Sequence, residues 1–164
     1  MPNNSPESIP TFSVCDAPKL QKVLFNWLGR PDLDEAILVS FGFNPHYNGK
    51  DVTLGHQLER LAESTNVTLV TTLSEETSGG PHRHFNAFQR LNSAGVRIMI
   101  HDTLHAKIFL FRRGNKVCWV VGSSNLTAGG LSLNTEVNVT GYQMTDYESV
   151  YSEVQQIIGE ARTL

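Results

Sequence analysis

Apolar residues recur along this chain in two rhythms, and their alternation lays out its elements. Pro18 suits a first helical turn; the helix runs on from Lys19 to about Leu28 and ends at Gly29, before Pro31. Ala36 to Phe43 is a short apolar run and reads as a buried strand, and Asn44 to Lys50 reads as a loop. Asp51 to Ser64 carries Leu54, Leu58 and Leu61 on one side and predicts an amphipathic helix. A strand over Val67 to Leu73, a Gly-containing loop over Thr77 to Pro81 and a helix over Arg83 to Ala94, closed by Gly95, follow. Val96 to Ile100, His105 to Arg112 and Lys116 to Val121 read as strands, the last two joined by a tight turn at Gly114-Asn115. A Ser/Thr/Gly loop spans 122 to 134, then a strand over Thr135 to Thr140 and a closing helix over Asp146 to Ala161.

Strand-helix-strand-helix-strand followed by a cluster of strands predicts an α/β fold: one mixed β-sheet with helices on both faces. The chain of 164 residues is enough for a single domain with one sizeable core. Residues 1–17 read as an irregular N-terminal arm and 18–164 as the catalytic domain. The longest apolar runs, such as Val117 to Val121, have strand length, so no membrane span is expected. Met1 to Pro10 is polar and Pro-rich, unlike a signal peptide, which makes the cytoplasm the expected location. Cys15 and Cys118 are far apart and form no metal-binding pattern.

Charge changes the picture once it is divided along the chain. The net charge is −3, but Thr77 to Thr135 holds seven basic residues (Arg83, Arg90, Arg97, Lys107, Arg112, Arg113, Lys116) against Asp102 alone. That segment balances at +6 and the remainder at −9. Such asymmetry suits a protein that meets a polyanion on one face, with Arg83, Arg112, Arg113 and Lys116 as candidate nucleic-acid contacts.

The chemistry concentrates after position 104. If His105 and Lys107 lie on one strand, they project from the same face. A nucleophile able to carry a phosphoryl group, with a fixed cation beside it, suits attack on a phosphodiester. Ser123, Ser124 and Asn125 offer donors to the same oxygens, and Ser124 fits an ordinary turn residue equally well. Glu136, placed on a strand face with Asn138, suits holding a histidine Nδ1–H. His82, His84, His101 and His105 do not make a convincing zinc set, since no thiolate lies nearby and Asp102 is the only local acid, so no metal or other cofactor is expected.

His105-Ala106-Lys107, then Gly122-Ser123-Ser124-Asn125, then Glu136 eleven residues beyond the Asn, resembles the active-site half of the phospholipase D superfamily. The wording HAKIFLF…GSSNLTAGGLSLNTEVNV is most similar to the nuclease, restriction-endonuclease-like branch, and the specific motifs cover about residues 105 to 140. Many members carry Asp five residues after the Lys; Arg112 stands there, a departure that weighs against a lipid-acting enzyme more than against a nuclease. The resemblance implies a metal-independent phosphodiesterase, here a DNA endonuclease in preference to one acting on RNA. In it His105 forms a phosphohistidine, Lys107, Ser123 and Asn125 bind phosphate, and Glu136 supports a histidine. Two-domain members bring two HxK motifs to one site. This chain has one, so the resemblance implies a homodimer with a shared site, in which the partner's His105 is the general acid. A phospholipase or phosphatidyltransferase, or a non-catalytic module that binds nucleic acid or dimerises, are the alternatives. No helix-turn-helix, zinc finger or other reading module stands out. Target choice is therefore expected to be weak or to come from a helicase, ATPase or defence-system subunit.

Overall fold

The computed structural model describes residues 12–48, 52–73 and 84–164. Among these residues eight strands form one mixed sheet: β1 (Phe12–Cys15), β2 (Glu35–Ser40), β3 (Asn66–Thr71), β4 (Arg97–Ile100), β5 (Lys107–Arg113), β6 (Lys116–Gly122), β7 (Asn138–Gly141) and β8 (Arg162–Thr163). Their order across the sheet is β1-β7-β6-β5-β2-β3-β4-β8. β2, β3 and β4 run parallel, and every other pairing is antiparallel. Among the described residues four α-helices cover it: α1 (Ala17–Leu28), α2 (Leu54–Ala62), α3 (Phe85–Ser93) and α4 (Met144–Glu160). The α/β fold with a mixed sheet is the one the pattern predicts.

Strand alternation splits the core into two layers. Leu38, Phe109, Phe111, Cys118 and Val120 meet Leu20, Leu24, Leu58 and Phe88 from α1, α2 and α3 on one face. Ile37, Val39, Leu110 and Trp119 meet Tyr147, Val154 and Ile158 of α4 on the other. Because β2 is covered on both sides, its residues from Ala36 onward are all buried, which is why it reads as an unbroken apolar run. α1 starts one residue before Pro18, where the Asp16 carboxylate accepts the Lys19 N–H at 3.0 Å. α3 closes as expected, with Gly95 at φ +101°.

Five details differ from the sequence reading. Residues 12–15 of the expected arm form an edge strand, paired with β7 through Phe12↔Gly141 to Cys15↔Asn138. The chain end adds β8 to the opposite edge. β5 begins at Lys107, where its ladder with β2 begins at Ser40↔Lys107, so His105 lies just before the strand. β7 begins at Asn138, so Glu136 also lies in the lead-in. Between β6 and β7 the expected loop holds one short helical turn, Gly129–Leu133.

Candidate active site

The site forms where β5 begins, β6 ends and β2 gives way to the segment after Ser40. Register puts Ser40 beside Lys107. The 42–44 segment then pairs with the turn after β6: Leu126 N–H donates to the Gly42 carbonyl at 3.1 Å and Asn44 N–H to the Leu126 carbonyl at 2.9 Å. Ser40 ties the two together, its hydroxyl donating to the Gly42 carbonyl at 2.6 Å and accepting Leu126 N–H at 3.0 Å. Residues from three stretches of sequence therefore meet at one end of the sheet.

Lys107 is 9% exposed, an unusual position for an ammonium. Its Nζ donates to the His105 carbonyl at 2.7 Å and lies 3.4 Å from His105 Nδ1. Neither of these partners is a carboxylate, so the ammonium keeps its attraction for an incoming anion. His105 itself is exposed, and its ring packs against Phe41 with centroids 5.9 Å apart. The pair thus points one reachable imidazole and one sheltered cation at the same space. They do so with His105 in the unpaired segment just before the strand rather than through a shared strand pleat.

Asn125 Oδ1 accepts the Gly42 N–H at 3.0 Å and lies 3.4 Å from the Ser40 hydroxyl. Ser123 Oγ donates to Glu136 Oε2 and accepts the Val137 N–H at 3.1 Å. Asn134 Nδ2 lies 3.4 Å from the other Glu136 oxygen. The described contacts of Glu136 are thus with Ser123 and Asn134 of its own chain, and those of the His105 ring with Lys107 and Phe41. Ser124 is wholly buried, and its hydroxyl accepts from Asn138 Nδ2 at 2.9 Å. Its hydroxyl is thereby engaged within the turn after β6.

The basic candidates do not converge here. Arg112, Arg113 and Lys116 sit at the far end of the β5–β6 hairpin from Lys107, and strand rise puts them roughly 20 Å away. Arg113 pairs with Asp32, and Arg90 with Glu59 at 2.5 Å, so acids from outside the basic segment offset part of its charge. Arg83 and His82 lie outside the described residues. Among the described residues no three His, Cys, Asp or Glu side chains cluster as metal ligands do.

Sequence reasoning missed Ser40, Gly42 and Asn138. The first two lie inside an apolar run that read simply as strand. Asn138 was noted only as a face-mate of Glu136, yet it is buried and its side-chain Oδ1 accepts the Ser124 N–H at 3.3 Å. A polar residue in a strand that alternates with Val137 and Val139 was the available signal.

Residues 35–158 match the family described as cardiolipin synthase, PLD-like domain, and the chain belongs to that phospholipase D-like family. Members of the superfamily are hydrolases or transferases of phosphodiesters. Among solved structures, the phospholipase D family member Nuc from Salmonella typhimurium is similar at TM-score 0.68 and 16% identity, over 95% of this chain and 99% of that one. NucT from Helicobacter pylori gives 0.69 and 12%, over 93% and 98%. Polyphosphate kinase from Porphyromonas gingivalis gives 0.68 and 14%, over 92% of this chain but 26% of its own. At these identities the likeness is one of fold. No curated protein sequence matches the chain. No described helix is long and apolar enough to cross a membrane.

Proposed function

We propose that this chain is a metal-independent DNA endonuclease of the phospholipase D-like family, working through a phosphohistidine in a homodimeric site. The observation that carries the phosphodiesterase reading is the nearly buried Lys107 ammonium beside the exposed His105 imidazole. Lys107 holds a nonbridging oxygen and His105 attacks phosphorus, displacing the leaving oxygen. The partner's His105 protonates that oxygen and then takes a proton from the water that hydrolyses the phosphohistidine. Asn125 adds donors to the phosphate oxygens, while the one Ser123 O–H is given to Glu136. Glu136, whose carboxylate is fixed by Ser123, accepts Nδ1–H from the imidazole across the dimer axis.

An apolar row supports the dimer. Register pairs Val14 with Val139, Val139 with Val121, and Val121 with Ile108, so all four share one face beside the site. Val14 is 62% and Val121 39% exposed, the kind of patch that a second copy covers. DNA as substrate rests on the GSSN-centred resemblance and Arg112. It is also supported by the fold shared with TrmBL2, described as an archaeal chromatin protein with a novel mode of DNA binding, at TM-score 0.62 and 9% identity. The reading places the enzyme in the cytoplasm, in restriction or antiviral defence, with target choice supplied by a helicase, ATPase or other defence-system subunit.

Lipid phosphodiester transfer is the second reading, favoured by the cardiolipin synthase description of the matching family. The test is incubation in EDTA with plasmid, single-stranded DNA, RNA and phosphatidylglycerol vesicles, beside a His105→Ala control. DNA cutting that survives chelation and disappears in the control supports the nuclease. Turnover of lipid alone selects the second reading, and cutting retained by the control removes His105 as nucleophile.

A further inference from the structure

Phe41 is the aromatic side chain that the site leaves in the open. Its ring is 40% exposed and faces His105, with centroids 5.9 Å apart and planes at 43°. The backbone beneath it is fixed on both sides. The Phe41 carbonyl lies 3.4 Å from the buried Thr71 hydroxyl, the Ser40 hydroxyl donates to the Gly42 carbonyl at 2.6 Å, and the Gly42 N–H donates to Asn125 at 3.0 Å. An exposed aromatic ring on a mobile loop is unremarkable. One carried on backbone next to the Gly42 N–H that binds Asn125, and packed beside an attacking imidazole, has a defined place relative to the reacting phosphorus.

We infer that Phe41 is a stacking platform for the unpaired nucleobase one sugar away from the scissile phosphate, an assignment that rests on the nuclease reading above. A phosphate held by Lys107 and attacked by His105 brings its attached sugar and base to the rim of the site, where Phe41 is the ring next to the histidine. Stacking tolerates any base, because every base has a π-face, so the contact gives affinity without sequence reading. A base inside a duplex already has both faces covered and must be extruded first. Phe41 thereby makes the site select single strands, bulges and frayed ends over intact duplex.

The contact is present in the bound ground state and the transition state alike, so its loss raises KM and leaves kcat nearly unchanged. The test uses the full chain, fluorescent single-stranded oligonucleotides with one cleavable phosphate, and the same strands with an abasic residue on either side of it. Phe41→Ala is expected to raise KM about tenfold on the normal strand. Tyr and Trp at this position restore the wild-type value and Leu does not. On the strand abasic at the stacked position, wild type and Phe41→Ala differ by less than about twofold, since both lack the contact. Equal rescue by Leu overturns the inference, as does an equal fall in kcat on normal and abasic strands, which marks a ring that merely supports His105. Gel filtration of Phe41→Ala as a monomer overturns it too, because the ring then holds two chains together. Wild-type chain that cuts no strand in EDTA overturns both this and the nuclease reading; normal cutting insensitive to Phe41 overturns this inference alone.

Discussion

The backbone N–H of Gly42 donates to the side-chain oxygen of Asn125 at 3.0 Å, across 83 residues of sequence. A backbone N–H only donates, so this bond settles which way the amide faces: Oδ1 looks inward and Nδ2 is turned away from Gly42. The amide nitrogen, with its two N–H groups, is what Asn125 has to offer a phosphate oxygen. Asn125→Asp keeps the acceptor for Gly42, removes both donors and sets a negative charge where the substrate is negative. Activity on any phosphodiester should fall by roughly 100-fold or more, the usual loss for one transition-state donor. The melting temperature should hold, because the structural half of the side chain survives. An equal loss of stability and activity would show that the amide serves folding alone.

Gly130 bears on the same residue from behind. A Cβ there would lie 2.3 Å from the Asn125 carbonyl oxygen and 2.5 Å from its nitrogen, and backbone does not rotate out of the way. Gly130→Ala should therefore displace Asn125, costing about 1–3 kcal/mol of stability by overpacking and most of the turnover. Gly129→Ala is the control, since its nearest neighbour is the tip of the Asn134 side chain at 3.1 Å. Urea unfolding and steady-state rates on both variants separate the two effects.

These two contacts also explain what the sequence could and could not disclose. Helices and central strands were legible because their apolar spacing is local: Leu54, Leu58 and Leu61 line one side of α2, and β2 is apolar because both faces are covered. β1 was illegible because three of its four residues are exposed, and its pairing depends on β7, more than a hundred residues away. The site's residue types were legible as a motif, while their supports were not. Ser40 and Gly42 matter through bonds to Leu126 and Asn125, which no spacing announces. The clustered basic residues misled in one respect: Arg113 and Arg90 meet acids that folding brings from outside their segment.

Alkaline pH should expose the state of Cys118. The thiol is wholly buried, and burial pushes its pKa from 9.0 up to about 12. The folded form keeps its proton where the unfolded form has lost it, so this contribution is complete below pH 9 and is lost as pH rises toward 12. One proton corresponds to about 1.4 kcal/mol per pH unit across that window. Tyr142 and Tyr147, also raised by burial, add losses of the same sign. Cys118→Ala should be less stable at neutral pH yet lose less between pH 9 and 11, measured by urea midpoints. In the folded wild type the thiol should resist iodoacetamide, and a fast reaction at pH 8 would contradict its burial.

Subunit mixing tests the shared site most directly. If each catalytic centre draws one His105 from each chain, a dimer with a single His105→Ala subunit lacks either its nucleophile or its general acid. Co-refolding wild type with an equal amount of His105→Ala should then leave about one quarter of the activity of the same total amount of wild type, the share of dimers carrying two intact chains. Independent sites would leave about one half. His105 is exposed and the change removes no buried packing, so the variant should fold and pair normally. Val121→Arg provides the complementary arm. It puts a charge into the row formed with Val14, Val139 and Ile108, and should yield a folded monomer by gel filtration with little turnover. A monomeric Val121→Arg chain with full activity would show that one copy of the motif is enough, and that the apolar row serves some other contact.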